Sequence, residues 1–312
     1  MGELEKNDIS KPHDAVFKET FSNKKIAQDF IVNNLPKEVL EIIDIDSMKP
    51  SKDSFINEEL KETFSDLIYT VNINGRQGYL SFLLEHKSYA DKRAIIQIAK
   101  YILEIWMANV VKEGAKAELT VVFPIVVYHG PQKEWNYKTD IRDMIPEFYS
   151  LPSVIQEMLP VFRHELINIQ KHEEQDFNKY HPLTKLVIKP LRYVFEYDKE
   201  ALTDLVVLSV EEVGNEVPEA IVQYYLQILL RYFTAVNKEL TEEMIKEKVK
   251  KLGGKGSMIM TILDKREEKG VEKGRVETAK EMLADDEPME KIIKYTKLLP
   301  DKIEELKKEM KH

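Results

Sequence analysis

The chain has 312 residues, with 46 basic and 55 acidic side chains, a net charge of −9 at pH 7 and 43 % apolar residues. That apolar share is ordinary for a globular protein and excludes disorder over most of the length. The absence of cysteine excludes a disulfide scaffold, a thiolate zinc site and a cysteine nucleophile. The opening Met1-Gly2-Glu3-Leu4-Glu5-Lys6 lacks the apolar core of a signal peptide. The longest apolar run, Leu119–Tyr128, is about half of the roughly 20 residues that span a bilayer. The expectation is therefore a cytoplasmic protein with no membrane partner.

The charge is unevenly placed. Lys238–His312 holds 19 basic against 18 acidic residues, so the surplus of carboxylates sits in the main body. A solvated acidic surface explains that surplus, and so does a set of carboxylates gathered around a divalent cation.

Asp14–Leu35 carries apolar residues at helical spacing, interrupted at Ser22-Asn23-Lys24 and stopped by Pro36, so it reads as one helix or two short ones. Asp44–Asn57 reads as irregular. Ser65–Ile73 and Gly78–Glu85 are strand-like, joined through Asn74-Gly75, a dipeptide that tolerates positive φ at both turn positions. Asp91–Lys112 reads as a helix and Leu119–Tyr128 as a strand covered on both faces. Beyond it, Ile141–Phe148, Ser153–Leu159, His181–Phe195, Glu200–Leu208, Glu219–Phe233 and Glu242–Lys251 carry helical spacing, with one further strand around Glu165–Asn168. Ala220–Phe233 is apolar nearly all round. Gly253-Gly254-Lys255-Gly256 marks a boundary, followed by the echo Glu268-Lys269-Gly270-Val271 and Glu272-Lys273-Gly274-Arg275. The fold class is α/β, with a core over residues 1–135, a helical region over 136–252 and a charged helical tail over 253–312.

If Asn74-Gly75 are the two turn residues, hairpin partners sum to 149 and Asp66 lies opposite Leu83. Alternation then puts Asp66, Glu85 and Lys87 on one face, with Asp66 and Glu85 as diagonal neighbours about 7–8 Å apart. A register summing to 151 sets them directly opposite, whereas an odd slip separates them. Two carboxylates on a half-buried strand repel one another, which a hard divalent ion and the nearby Lys87 would offset. A structural ion pair at a sheet edge satisfies the same spacing. Gln97 and Tyr101, four apart, share a face of the next helix.

These residues, with the opening His13-Asp14-Ala15-Val16-Phe17-Lys18, the Leu84-Glu85-His86-Lys87 strand end and Pro124-Ile125-Val126-Val127-Tyr128-His129-Gly130, resemble the Rpn family. Its members are recombination-promoting nucleases, also described as YhgA-like transposases, within the PD-(D/E)XK nuclease superfamily. The match is densest over residues 13–135, and Ser65 stands where the superfamily name has proline. The resemblance implies a restriction-endonuclease-like core followed by a mainly helical C-terminal half. It implies that Asp66 and Glu85 bind Mg2+ (or Mn2+ or Ca2+) and that Lys87 is the catalytic lysine. Gln97 and Tyr101 match an auxiliary motif, and Asp14 and Glu19 are the candidates for the acid that a first helix often adds in that superfamily.

The function these readings point to is a metal-dependent DNA endonuclease of low sequence specificity, linked to recombination or defence against mobile DNA. A nuclease fold without activity, binding DNA or partner proteins, is the alternative. The histidines read as packing, turn or capping residues, and Trp106 and Trp135 as core anchors. Lys24-Lys25, Lys92-Arg93 and Lys248–Lys255 are candidates for phosphate contact. The mixed charges of Met289–Lys297 and Pro300–Lys311 suit self-association of the tail better than DNA reading.

Overall fold

The computed structural model describes residues 12–51, 67–85, 94–114, 118–213, 216–250 and 256–310. The chain divides into two compact units, Met1–Thr241 and Glu242–His312.

In the first unit, α1 (Pro12–Phe21) and α2 (Lys24–Asn34) are separate helices. Asn23 explains the break: its side chain caps α2 by accepting from the Lys25 amide at 3.0 Å, an N-cap arrangement that favours a new start over continuation. A short helix, α3 (Lys37–Leu40), leads into a five-stranded sheet of order β1-β2-β3-β4-β5. Its strands are β1 (Ile43–Pro50), β2 (Leu67–Ile73), β3 (Arg76–Glu85), β4 (Val122–Tyr128) and β5 (Glu165–Asn168). β1, β2 and β3 pair antiparallel, whereas β3–β4 and β4–β5 are parallel.

β1 corrects the expectation of an irregular stretch. Only Ile43 and Met48 of this strand are buried, and its ladder with β2 shifts register between Asp44 and Lys49. An edge strand with a bulge and a terminal proline carries little period-2 signal.

Asn74 and Gly75 take φ values of 50° and 75°, as a type I′ hairpin turn requires. Ile73 pairs with Arg76 and every partner up to Leu67–Phe82 sums to 149. The parallel step from β3 to β4 is made by α4 (Ala94–Glu113). One sheet face carries Tyr69, Val71 and Leu80, all buried, and the Tyr69 hydroxyl donates to the Phe21 carbonyl at the end of α1. The other face is covered by α4. Tyr101 and Ile105 pack with Tyr79, Ile68 and Val122, while Ile98 and Ile102 pack with Val126.

The C-terminal half is mostly helical: α5 (Ser153–Met158), α6 (Pro182–Tyr193), α7 (Lys199–Val213) and α8 (Glu219–Val236). Over residues 141–148 the expected helix is instead a 3₁₀ turn at Ile141–Met144 and a second at Phe148–Ser150. Glu147 between them has φ 55°, a left-handed residue that no continuous helix contains. α8 is apolar nearly all round but not buried on every side, since Ile221 and Tyr224 are exposed. His181 caps α6, its Nδ1 accepting from the Leu183 amide at 3.2 Å. Lys189, buried on α6, is held by Glu174 at 2.5 Å and Glu212 at 3.1 Å.

The second unit contains α9 (Glu242–Lys250), α10 (Gly256–Ala284), α11 (Met289–Thr296) and α12 (Pro300–Glu309). The repeated Glu-Lys-Gly segments lie inside the single helix α10. Lys297, at φ 57°, ends α11. Ala279 of α10 packs with Ile292, Ile303 and Leu306.

Candidate functional site

The hairpin and the crossover together decide which residues can meet. Of the five positions named for the site, Asp66 and Lys87 lie outside the described residues. Glu85 is the last residue of β3, and its Cα pairs with that of Tyr128 on β4. Six positions separate Glu85 from Tyr79, so on a strand the two have the same parity. Tyr79 is on the face covered by α4.

α4 runs back along the sheet: Ile98 packs near Val126, toward the C-terminal end of β4, and Ile105 near Val122, at its start. This sets the first turn of α4, with Gln97, at the level of the last residues of β3. Gln97, Tyr101 and Glu104 follow one another at helical spacing, on the flank that meets β2 and β3. Gln97 Oε1 and Glu104 Oε2 are buried and accept no hydrogen bond among the described residues. The far end of α4 is fixed by Trp106 Nε1, which donates to the Thr120 carbonyl at 2.8 Å, and by Asn109 Nδ2, which donates to Thr120 Oγ1 at 3.0 Å.

Tyr128 is buried and meets Trp135 edge-on, with ring centroids 5.3 Å apart. Gly130 makes room for it: a Cβ there would lie 2.6 Å from the Tyr128 hydroxyl oxygen and 2.8 Å from two ring carbons. Gly130→Ala is expected to push the ring aside and lower stability by about 1–3 kcal/mol, which urea denaturation will read. Because Tyr128 is the backbone partner of Glu85, a drop in activity should accompany it.

His13 and His129, 116 residues apart in sequence, meet on the sheet face opposite α4. His13 Nδ1 is 2.8 Å from the Tyr232 hydroxyl, and His129 Nε2 donates to the Leu191 carbonyl at 2.8 Å. Phe195 stacks on His13 at 5.4 Å. Burial pushes the Tyr232 hydroxyl well above its ordinary pKa, so it stays protonated between the two rings. His13 therefore packs rather than exposing its ring, and His129 is a buried anchor rather than only a turn residue. Nothing in the one-dimensional spacing links these side chains with Tyr232.

Asp14 and Glu19 of α1 are half-buried, and Glu19 is close enough to Tyr225 to help raise the pKa of its hydroxyl after burial has done so. Trp106 and Trp135 both pack against the Ile98, Ile102 and Val126 cluster. Lys24 Nζ donates to the Asp46 carbonyl at 2.9 Å. His86, Lys92, Arg93 and residues 251–255 lie outside the described residues. Among the described residues, no three His, Asp or Glu side chains gather into a metal-holding group.

Helix, antiparallel hairpin, crossover helix and parallel strand follow one another in an α/β core built on one mixed five-stranded sheet. Residues 11–219 match the family described as "Putative transposase, YhgA-like", more than half of the chain, and the chain belongs to that family. It is similar to recombination-promoting nuclease RpnD of Escherichia coli O157:H7, 26 % identical over 258 residues, 82 % of this chain and 94 % of that protein. It is also similar to recombination-promoting nuclease RpnC of Escherichia coli K12, 28 % identical over 194 residues, 62 % of this chain and 57 % of that protein. A third relative, from the same strain, is named inactive recombination-promoting nuclease-like protein RpnE: 26 % identical over 134 residues, 43 % of this chain and 44 % of that protein. No solved structure matches the chain.

Proposed function

We infer that the protein is a metal-dependent DNA endonuclease of low sequence specificity, acting in recombination or against mobile DNA. The observation that carries this reading is the hairpin register. Partners sum to 149, the register on which alternation along the sequence expects positions 66 and 85 on one face. The relatives named as recombination-promoting nucleases support the reaction class.

On this reading Asp66 and Glu85 hold Mg2+, for which Mn2+ or Ca2+ could substitute. Two carboxylates are the hard oxygen donors such an ion takes, and Gln97 Oε1, which accepts no hydrogen bond among the described residues, is left to accept from a water on that ion. The bound ion would activate water and stabilise charge on the phosphate. Lys87 holds the attacking water and offsets charge as the phosphorus becomes five-coordinate. Gln97 and Tyr101, fixed on a helix packed against the sheet, position the DNA backbone rather than react with it. Asp14 or Glu19 would supply the additional acid.

The relative named inactive gives weight to the second reading, a nuclease fold that only binds DNA or a partner protein. Supercoiled plasmid incubated with the purified chain separates the two. Nicking in Mg2+ that stops in EDTA is the expected result. Plasmid bound but left intact in Mg2+, Mn2+ and Ca2+ would establish the binding module.

A further inference from the structure

α4 buries one side against the sheet through Ile95, Ile98, Ile102 and Ile105. Its opposite side is also apolar. Ile96, Leu103, Met107, Val110 and Val111 are all exposed, Met107 at 61 % and Val111 at 80 %. At 1.5 Å per residue this stripe is about 22 Å long, and a helix facing only water carries charged residues there. The same segment, Ala94–Val111, has the length and apolar composition of a membrane span, yet its inner side is already part of the sheet's core.

The order of side chains along the stripe identifies what fits it. Placed antiparallel on a copy of itself, with Leu103 opposite Leu103, the helix sets Ile96 against Val110 and the stem of Lys100 against Met107. Lys100 and Glu104 flank the stripe on one shoulder, and in a two-fold antiparallel pair like shoulders face each other. Lys100 of each copy then reaches Glu104 of the other, giving two opposite-charge contacts.

We propose that the outer face of α4 is a two-fold interface with a second copy of this chain. The interface goes beyond the proposed function and does not depend on it. On the nuclease reading it would also set the two Gln97 positions about 18 Å apart along the helix pair, one for each strand of a duplex.

Sedimentation velocity on the full-length chain tests the interface across a concentration series. The wild type is expected to be a dimer, and Leu103→Glu, at an exposed position, a folded monomer by circular dichroism. Lys100→Glu and Glu104→Lys are each expected to raise the dimer dissociation constant about tenfold, with Lys100→Glu/Glu104→Lys restoring it. A monomeric wild type, or a dimer unchanged by Leu103→Glu and by both charge reversals, as pairing through the C-terminal helices would give, overturns the proposal. So does flotation of a monomeric wild type with neutral phosphatidylcholine vesicles that Leu103→Glu abolishes, which would assign the stripe to a bilayer.

Discussion

Glu85→Gln is expected to slow plasmid nicking by on the order of a thousandfold while leaving the fold intact. The substitution preserves the size of a side chain at the end of β3, where the backbone is fixed by pairing with Tyr128, so any loss reflects charge and not packing. A neutral amide is a poor partner for a hard divalent ion, and removing one group that stabilises developing charge costs about 10²–10³ in rate. Gln97→Ala should be milder, about 10–100-fold, because it supports the geometry without supplying charge. Initial rates of nicking over a Mg2+ titration distinguish the two. Glu85→Gln should raise the metal requirement and recover in part at high Mg2+, whereas Gln97→Ala should change the rate more than the metal requirement.

The second large effect concerns acid stability. His164 is buried, neither ring nitrogen is hydrogen-bonded among the described residues, and burial, with Arg163 nearby, pushes its pKa down to about 4. His172, half-buried, is likewise pushed down to about 4 by burial, then by Lys179. Both are neutral in the folded chain at pH 6, whereas in the unfolded chain they titrate near 6.5. The unfolded state therefore binds more protons below 6.5, and stability is lost as pH falls from about 6.5 toward 4. For His164 the full loss is about 3 kcal/mol, with a smaller contribution from the more exposed His172. Urea denaturation at pH 7.5, 6.0 and 4.5 should show that decline, and His164→Leu should flatten it. A pH profile identical in wild type and His164→Leu would contradict the burial of a neutral imidazole.

The sheet's central hairpin was legible because it rests on local chemistry. Asn74-Gly75 specify both the turn and the register, and the register determines which residues share a face. The break between α1 and α2 was legible for the same reason, since Asn23 is a capping residue. β1 escaped because its pairing, not its composition, makes it a strand. The two 3₁₀ turns over residues 141–150 passed for a helix because Ile141, Met144, Ile145 and Phe148 have helical spacing. That spacing cannot reveal a left-handed residue at Glu147.

For the candidate site, the turn alone sets the register and with it the parity of position 85, while positions 66 and 87 lie outside the described residues; the shared flank of Gln97 and Tyr101 follows from their spacing. The exposed stripe of α4 was hidden within the same apolar pattern that announced the helix, because composition does not say which side the sheet will cover. The His13–Tyr232–His129 cluster joins α1, the end of β4 and α8, three elements whose proximity is a product of folding.

The most direct test of the central claim pairs Mn2+ binding by calorimetry with plasmid nicking, on the wild type, Asp66→Ala and Lys87→Ala. The expected result is that Asp66→Ala loses both metal binding and nicking, while Lys87→Ala keeps the metal and loses the nicking. Metal binding and cleavage that both survive Asp66→Ala would contradict the placement of the site at the hairpin's end.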